Sequence, residues 1–238
     1  DKDTVRKLWD NYYVPYVKGY FSSSGRFRSD DIKTGNILAY TGSTSSATFF
    51  PKQVMTSETE SHDIELEVLP TPEFAGGEKW AVQQGAGMVV TKGSDDEIKA
   101  SVEFLKWFTE PENNTGFSVG SGYLPVTRKA TDMVEIRKSG TSGTELSESM
   151  DAVLTEAVET VNNNELYTTP AFEGGQDARS VLEYAMSDIA DADRQTVQER
   201  INEGQSMEEA VADFISDEYF DNWYEETLTK LQAYEDGQ

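Results

Sequence analysis

The sequence predicts a mixed α/β fold, a small sheet followed by a largely helical carboxy-terminal third, on three observations. Ile64 to Pro70 alternates apolar and acidic residues, the period-2 pattern of a half-exposed strand. Ser94-Asp95-Asp96-Glu97 is a capping box, in which a serine hydroxyl and a glutamate three residues on satisfy the backbone donors that a helix start leaves unpaired. From Met150 onward, apolar residues recur at helical spacing.

The chain opens on a helix running through Val5, Leu8, Trp9 and Tyr12, capped by Asp3 or Thr4. A polar loop follows, then a brief strand, Ile37 to Tyr40. The small, hydroxyl-rich Gly42-Ser43-Thr44-Ser45-Ser46 stands where that strand gives way to a helix start. After the Ile64–Pro70 strand, Pro72, Gly76 and Gly77 break a loop that ends at Gln84, and Met88 to Thr91 reads as the next strand. Behind the Ser94 box, Ile98, Ser101, Val102, Leu105 and Phe108, with Phe104 beside them, form one apolar face that Pro111 stops. A short helix over Asn113 to Val119 and the turn Gly120 to Val126 come next.

In the last third, Met150, Val153, Leu154, Ala157, Val158 and Val161 mark one helix, and Val181, Leu182, Ala185 and Ile189 another. Ser206 to Glu209 is a second capping box, opening a helix whose expected buried face is Met207, Ala210, Val211, Phe214 and Ile215. Phe220, Trp223, Tyr224, Leu228 and Leu231 mark a terminal amphipathic helix.

Composition narrows the function. The 238 residues carry 44 Asp plus Glu against 20 Lys plus Arg, a formal net charge of −24. A field of that sign repels phosphate backbones and anionic lipids, so nucleic acid is not an expected partner. With no cysteine there is no disulfide, thiol nucleophile or thiolate metal site. His62, the one histidine, falls in an acidic loop ahead of a strand and reads as a satisfied or solvated imidazole, not as a general base. Gly85-Ala86-Gly87 precedes a strand and so lacks the strand-to-helix setting of a phosphate loop. Asp188, Asp191 and Asp193 lack calcium-loop spacing and read as a wet helix face or helix break. Asn113-Asn114-Thr115 matches a glycosylation sequon, a pattern short enough to arise by chance. No catalytic residue, metal ligand or cofactor is predicted.

What remains is a set of aromatic and amide-bearing turns at element ends: Tyr40, Trp80 before Gln83-Gln84-Gly85, Tyr123 in Gly-Tyr-Leu-Pro, and Phe172 before Gly174-Gly175. Aromatic faces stack on sugar rings, amides and hydroxyls bond sugar hydroxyls, and glycine lets a ligand approach the backbone. On chemistry alone, Trp80 and Tyr123 read first as core plugs beneath loops.

The stretch from Gly76 to Ala130 resembles the signature region of family 1 extracellular solute-binding proteins, which include maltose-, oligosaccharide- and glycerol-phosphate-binding receptors. The family's Gly-rich strand, its "A-x-x-F-L-x-F" helix, its "P-E" stop and its "G-Y-L-P-V" turn appear in order as Gly85–Val90, Ala100–Phe108, Pro111-Glu112 and Gly122–Val126. Lys33 to Tyr40 is similar to the family's "G-x-x-A-M" strand, with Tyr40 where methionine is usual, and Pro170–Ala185 and Gly204–Ala210 resemble its closing helices.

The resemblance implies the carboxy-terminal portion of a periplasmic-binding-protein-like (type II) fold. Residues 1–77 and 129–238 would form the carboxy-terminal lobe, and 78–128 would cross back to an amino-terminal lobe that this sequence lacks. It further implies a monomeric, non-enzymatic receptor of an ABC importer, in the periplasm or as a cell-surface lipoprotein, with no signal peptide in this chain. Such a receptor would bind a carbohydrate, an oligosaccharide or related polyol, in an interlobe cleft and deliver it to the membrane permease subunits. The family's ligand contacts fall on Gly42, Ser43, Ser45, Gln84, Gly85, Tyr123 and Phe172, the last near where many sugar receptors have tryptophan. Trp80 joins them on its chemistry alone. The alternatives are a secreted carbohydrate-active enzyme, a glycoside hydrolase recognisable by a buried carboxylate pair with one raised pKa, and a non-catalytic interaction domain.

Overall fold

Helices dominate the computed structural model, which describes residues 1–23, 27–140 and 145–235. In chain order the elements are α1 (Lys2–Leu8), a π-helical turn (Trp9–Tyr13), α2 (Val14–Val17), α3 (Arg28–Asp31), two 3₁₀ helices (Ile32–Thr34 and Thr44–Phe49), β1 (Gln53–Met55), β2 (Ser61–Asp63) and β3 (Trp80–Val82). They continue with α4 (Asp95–Phe108), α5 (Pro111–Ser121), α6 (Met133–Gly140), α7 (Glu148–Asn163), β4 (Glu165–Tyr167), α8 (Gly175–Asn202), α9 (Met207–Val211) and α10 (Asp217–Glu235). Two compact units result, one made of Asp1–Ser23 with Pro170–Gln238, the other of Ser24–Thr169.

The first unit is built on aromatic packing. Asp1, not Asp3 or Thr4, caps α1, accepting from the Thr4 amide. The π turn is closed by the Val14 amide on the Trp9 carbonyl, and Trp9, Tyr13, Tyr16 and Val17, which share one helical face with Val5, are buried while Leu8 and Tyr12 stay exposed. Trp9 stacks on Tyr13 with ring centroids 3.6 Å apart and meets Trp223 at 4.8 Å. The Trp223 indole N–H donates to the Ala185 carbonyl at 2.9 Å, tying α10 to α8.

Helix α8 runs unbroken through Asp188, Asp191 and Asp193, so there is no helix break; Asp188 and Asp191 lie on an exposed face as read, and Asp193 alone departs from that reading. Asp193 is buried and accepts the hydroxyls of Tyr13 at 2.5 Å and Tyr219 at 2.8 Å, while Asp191 accepts that of Tyr16. Burial first, and then the bond to a carboxylate, pushes the Tyr13 and Tyr219 hydroxyls well above the ordinary phenol range and that of Tyr16 up to about 12. The Ser206 capping box forms as expected and leads into buried Ala210, Val211 and Phe214. Met207 departs from expectation, since it stands exposed on the first turn, and so does Leu182 on α8.

The second unit packs α5, α6 and α7 around Val119, Ile136, Met150, Leu154 and Val158. Ser147 caps α7 by accepting from the Met150 amide, and Arg137 of α6 donates to both oxygens of Asp151, at 2.6 and 2.9 Å. Among the described residues its sheet content is two pairs. β1 and β2 are antiparallel with Val54 opposite His62, and β3 and β4 are parallel with Ala81 opposite Leu166. His62 therefore lies in a strand and not in a loop.

None of the three expected strands forms. Ile37–Tyr40, Ile64–Pro70 and Met88–Thr91 are extended or bent chain without ladder partners among the described residues. A strand is stabilised by pairing, and alternation alone supplies none. Only the Ile64 amide carries the β1–β2 ladder onward, to the Lys52 carbonyl, so pairing falls just upstream of the alternating run. Leu38 and Val89 consequently project into solvent.

Candidate functional site

Two turns of the second unit meet at one glycine. The first begins at Gly42 and Ser43. Ser43 is extended and precedes the 3₁₀ helix Thr44–Phe49, where a helix start was expected. Its carbonyl accepts the Ser46 hydroxyl at 2.6 Å, and its own hydroxyl lies 3.0 Å from that of Ser45. Gly42 has no space for a side chain, since a Cβ there would stand 2.6 Å from the Ser46 hydroxyl and 2.9 Å from the Tyr40 ring. Tyr40 itself stacks on Phe50, at 6.3 Å between centroids.

The second turn is Gly122 to Val126, at the end of α5. Gly122 closes the helix in the left-handed region, φ 74°, donating to the Ser118 carbonyl. A Cβ on Gly122 would lie 2.7 Å from the Thr44 carbonyl oxygen and 2.9 Å from the Ser45 Cα. Only glycine satisfies both this backbone angle and this approach, and it sets the Ser43–Ser45 turn directly against the Tyr123 turn. The Tyr123 ring is half-exposed, one face stacked on Phe117 at 6.3 Å, and Phe117 in turn meets Phe108 edge-on at 5.2 Å. Behind the turn, Asn114 Oδ1 accepts the Val126 amide at 2.7 Å and the Thr131 hydroxyl donates to the Pro125 carbonyl at 3.1 Å.

Of the residues singled out by sequence, this geometry brings together Gly42, Ser43, Ser45 and Tyr123. Trp80 lies in β3, half in solvent, with its indole N–H on Glu78 at 3.1 Å. Gln84 and Gly85 follow on an exposed extended run, where a side chain at Gly85 would touch nothing within 4 Å. Phe172 belongs to the first unit, exposed, with its ring over Gly175, at which a Cβ would come within 3.1 Å.

Sequence reasoning missed Asn114 and Thr131. The signal was present: Asn114 and Ser118 sit four residues apart on the buried face of α5 with Val119, polar residues where apolar ones belong. The sequon reading drew attention to Asn113 instead, whose amide donates to the Trp107 carbonyl at 2.8 Å.

The electrostatics are local. Each carboxylate with a resolved shift is lowered by a neighbour: Glu97 and Glu209 by their capping serines, Asp151 by Arg137. Among the described residues no cluster of His, Asp and Glu could hold a metal ion, and no helix is long and apolar enough to cross a membrane. A shallow apolar depression of about 500 Å³ lies between Met88–Val90 and the Ala100–Leu105 face of α4.

A family model for bacterial extracellular solute-binding proteins matches residues 1–142. The chain belongs to that family, whose members bind small solutes outside the cytoplasm and pass them to membrane permeases. No curated protein and no solved structure matches it.

Proposed function

We propose that the protein is the cargo receptor of an ABC importer, that its solute is a carbohydrate, an oligosaccharide or related polyol, and that it performs no catalysis. The observation that carries this reading is the contact at Gly122, which sets two serine hydroxyls and an aromatic ring on adjoining turns. Hydroxyls exchange hydrogen bonds with sugar hydroxyls and an exposed ring face stacks on the apolar face of a pyranose, so the pair suits a carbohydrate better than an apolar or highly charged solute.

Gln84, Gly85 and Trp80 complete the proposed contact set within the second unit, in a receptor that closes around its sugar. In this reading residues 1–77 and 129–238 form the carboxy-terminal lobe, and 78–128 packs on an amino-terminal lobe that lies outside the sequence. Support comes from α4, which lies within 78–128 and has no buried residue at all. The receptor works as a monomer, in the periplasm or as a lipoprotein at the cell surface.

The test is calorimetry on the two-lobed receptor with an oligosaccharide panel. Tyr123→Ala should weaken binding by about 1–3 kcal/mol, and Tyr123→Phe by less unless the phenol bonds the sugar. Loss of melting temperature with unchanged affinity would make Tyr123 a structural plug and remove the main support for the reading.

A further inference from the structure

An exposed ring is useful for recognition only if the backbone beneath it is fixed, and the Tyr123 turn is not part of any sheet or helix that would fix it. Its two ends are held differently. At the front, Gly122 is pinned between the last turn of α5 and the Thr44 carbonyl. At the back, the Val126 amide has its acceptor in the side chain of Asn114, twelve residues earlier, at 2.7 Å. Asn114 is 2% exposed and Val126 is 66% exposed, so a buried side chain holds the amide of an exposed residue through a part-buried bond. We infer that Asn114 is the positioning residue of the ligand turn: it fixes Val126 and thereby holds the Tyr123 ring on Phe117, beside Ser43 and Ser45. This rests on the reading of that turn as the ligand site, but its physical content, a turn held in place by one buried amide, can be measured with no ligand present.

Asparagine suits the task where an apolar residue of similar size does not. Its carbonyl reaches across the start of α5 to accept the amide, and the neighbouring Thr115 and Ser118 hydroxyls are already committed to helix carbonyls, Pro111 and Asn114 among them. The Thr131 hydroxyl on the Pro125 carbonyl is a second, weaker tether, since it is shared with the Thr127 carbonyl. Truncating Asn114 removes the acceptor of the Val126 N–H at the back end of the turn.

The test is amide exchange and proton NMR on the complete chain. In the wild type the Val126 amide should be protected although it lies outside every ladder, and the Tyr123 ring protons should carry a ring-current shift from Phe117. In Asn114→Ala, Val126 exchange should rise about ten- to a hundredfold and the Tyr123 shift should collapse, while the amides of Ile136 and Leu154 keep their protection. Asn114→Asp, which retains an acceptor oxygen at the same place, should restore most of both signals. An unprotected Val126 in the wild type would overturn the inference. So would unaltered Val126 and Tyr123 signals in Asn114→Ala, or a loss spread evenly over Ile136 and Leu154. If Asn114→Ala does not fold, the wild-type protection and the Asn114→Asp signals decide. Failure of Tyr123→Ala to weaken sugar binding would count against the ligand site and leave this inference standing, so the two fail separately.

Discussion

Ser94 and Ser206 open their helices with the same chemistry, and the two helices end in opposite surroundings. In both boxes the glutamate three residues on accepts the serine amide, at 2.8 and 3.0 Å, and the serine hydroxyl, at 2.8 and 2.7 Å. Behind Ser206, Ala210 and Val211 are buried against α8 and the aromatic cluster. Behind Ser94, helix α4 carries Ile98, Val102, Phe104 and Trp107 on its surface, with Phe104 51% and Trp107 53% exposed. A capping box fixes where a helix begins, whereas burial requires a partner surface, which local sequence does not supply. A contiguous apolar face of this kind marks an interaction surface, which is the role the two-lobed reading gives it.

The largest contrast should come from removing the same side chain in the two places. Trp9→Ala empties the centre of the first unit's core, so it should cost about 3–5 kcal/mol in a denaturant titration. Trp107→Ala on α4 should change the stability of this chain by less than about 0.5 kcal/mol. Equal losses would mean that the α4 face is covered after all.

A smaller effect separates buried polar from buried apolar support. Tyr13→Phe removes one of the two hydroxyls on Asp193 and should destabilise the first unit by about 1–3 kcal/mol. The pH dependence has a definite sign. Folding raises the Tyr13, Tyr16 and Tyr219 hydroxyls above their ordinary value of 10.0, so the stabilisation is complete below about pH 10. It is lost as pH climbs from there through the folded values, about 12 in the case of Tyr16. Unfolding followed against pH should show that decline in the wild type and a shallower one in Tyr13→Phe.

Least in size, and closest to the comparison, are the caps themselves. Ser206→Ala should lower the melting temperature of the first unit by a few degrees, because α9 belongs to its core. Ser94→Ala should fray the start of α4, visible as faster amide exchange at Glu97 and Ile98, without moving the melting temperature. A shift of similar size from both variants would erase the distinction between the two helices.

What the sequence made legible follows the same division. Both capping boxes, the Met150–Val158 stripe and the Phe220–Trp223 face were readable because a helix satisfies its own backbone and announces its ends within a few residues. The strands were not readable, because Ile37–Tyr40, Ile64–Pro70 and Met88–Thr91 have the right residues and no partner among the described residues. On the first helix Trp9 was legible as a buried residue, but the face runs on through Tyr13, Tyr16 and Val17, at ordinary helical spacing, and leaves Leu8 and Tyr12 exposed. At the site, the serines and Tyr123 were visible as turn residues, but Asn114 was hidden, since its role depends on an amide twelve positions away.

The central claim is that this chain contributes one side of a sugar cleft whose other side lies on the lobe that covers α4. Titrating the oligosaccharide panel into the chain alone and into the receptor with its amino-terminal lobe tests this most directly. The account predicts little measurable heat from the chain alone and clear saturation from the two-lobed receptor. Tight binding by the chain alone would contradict it.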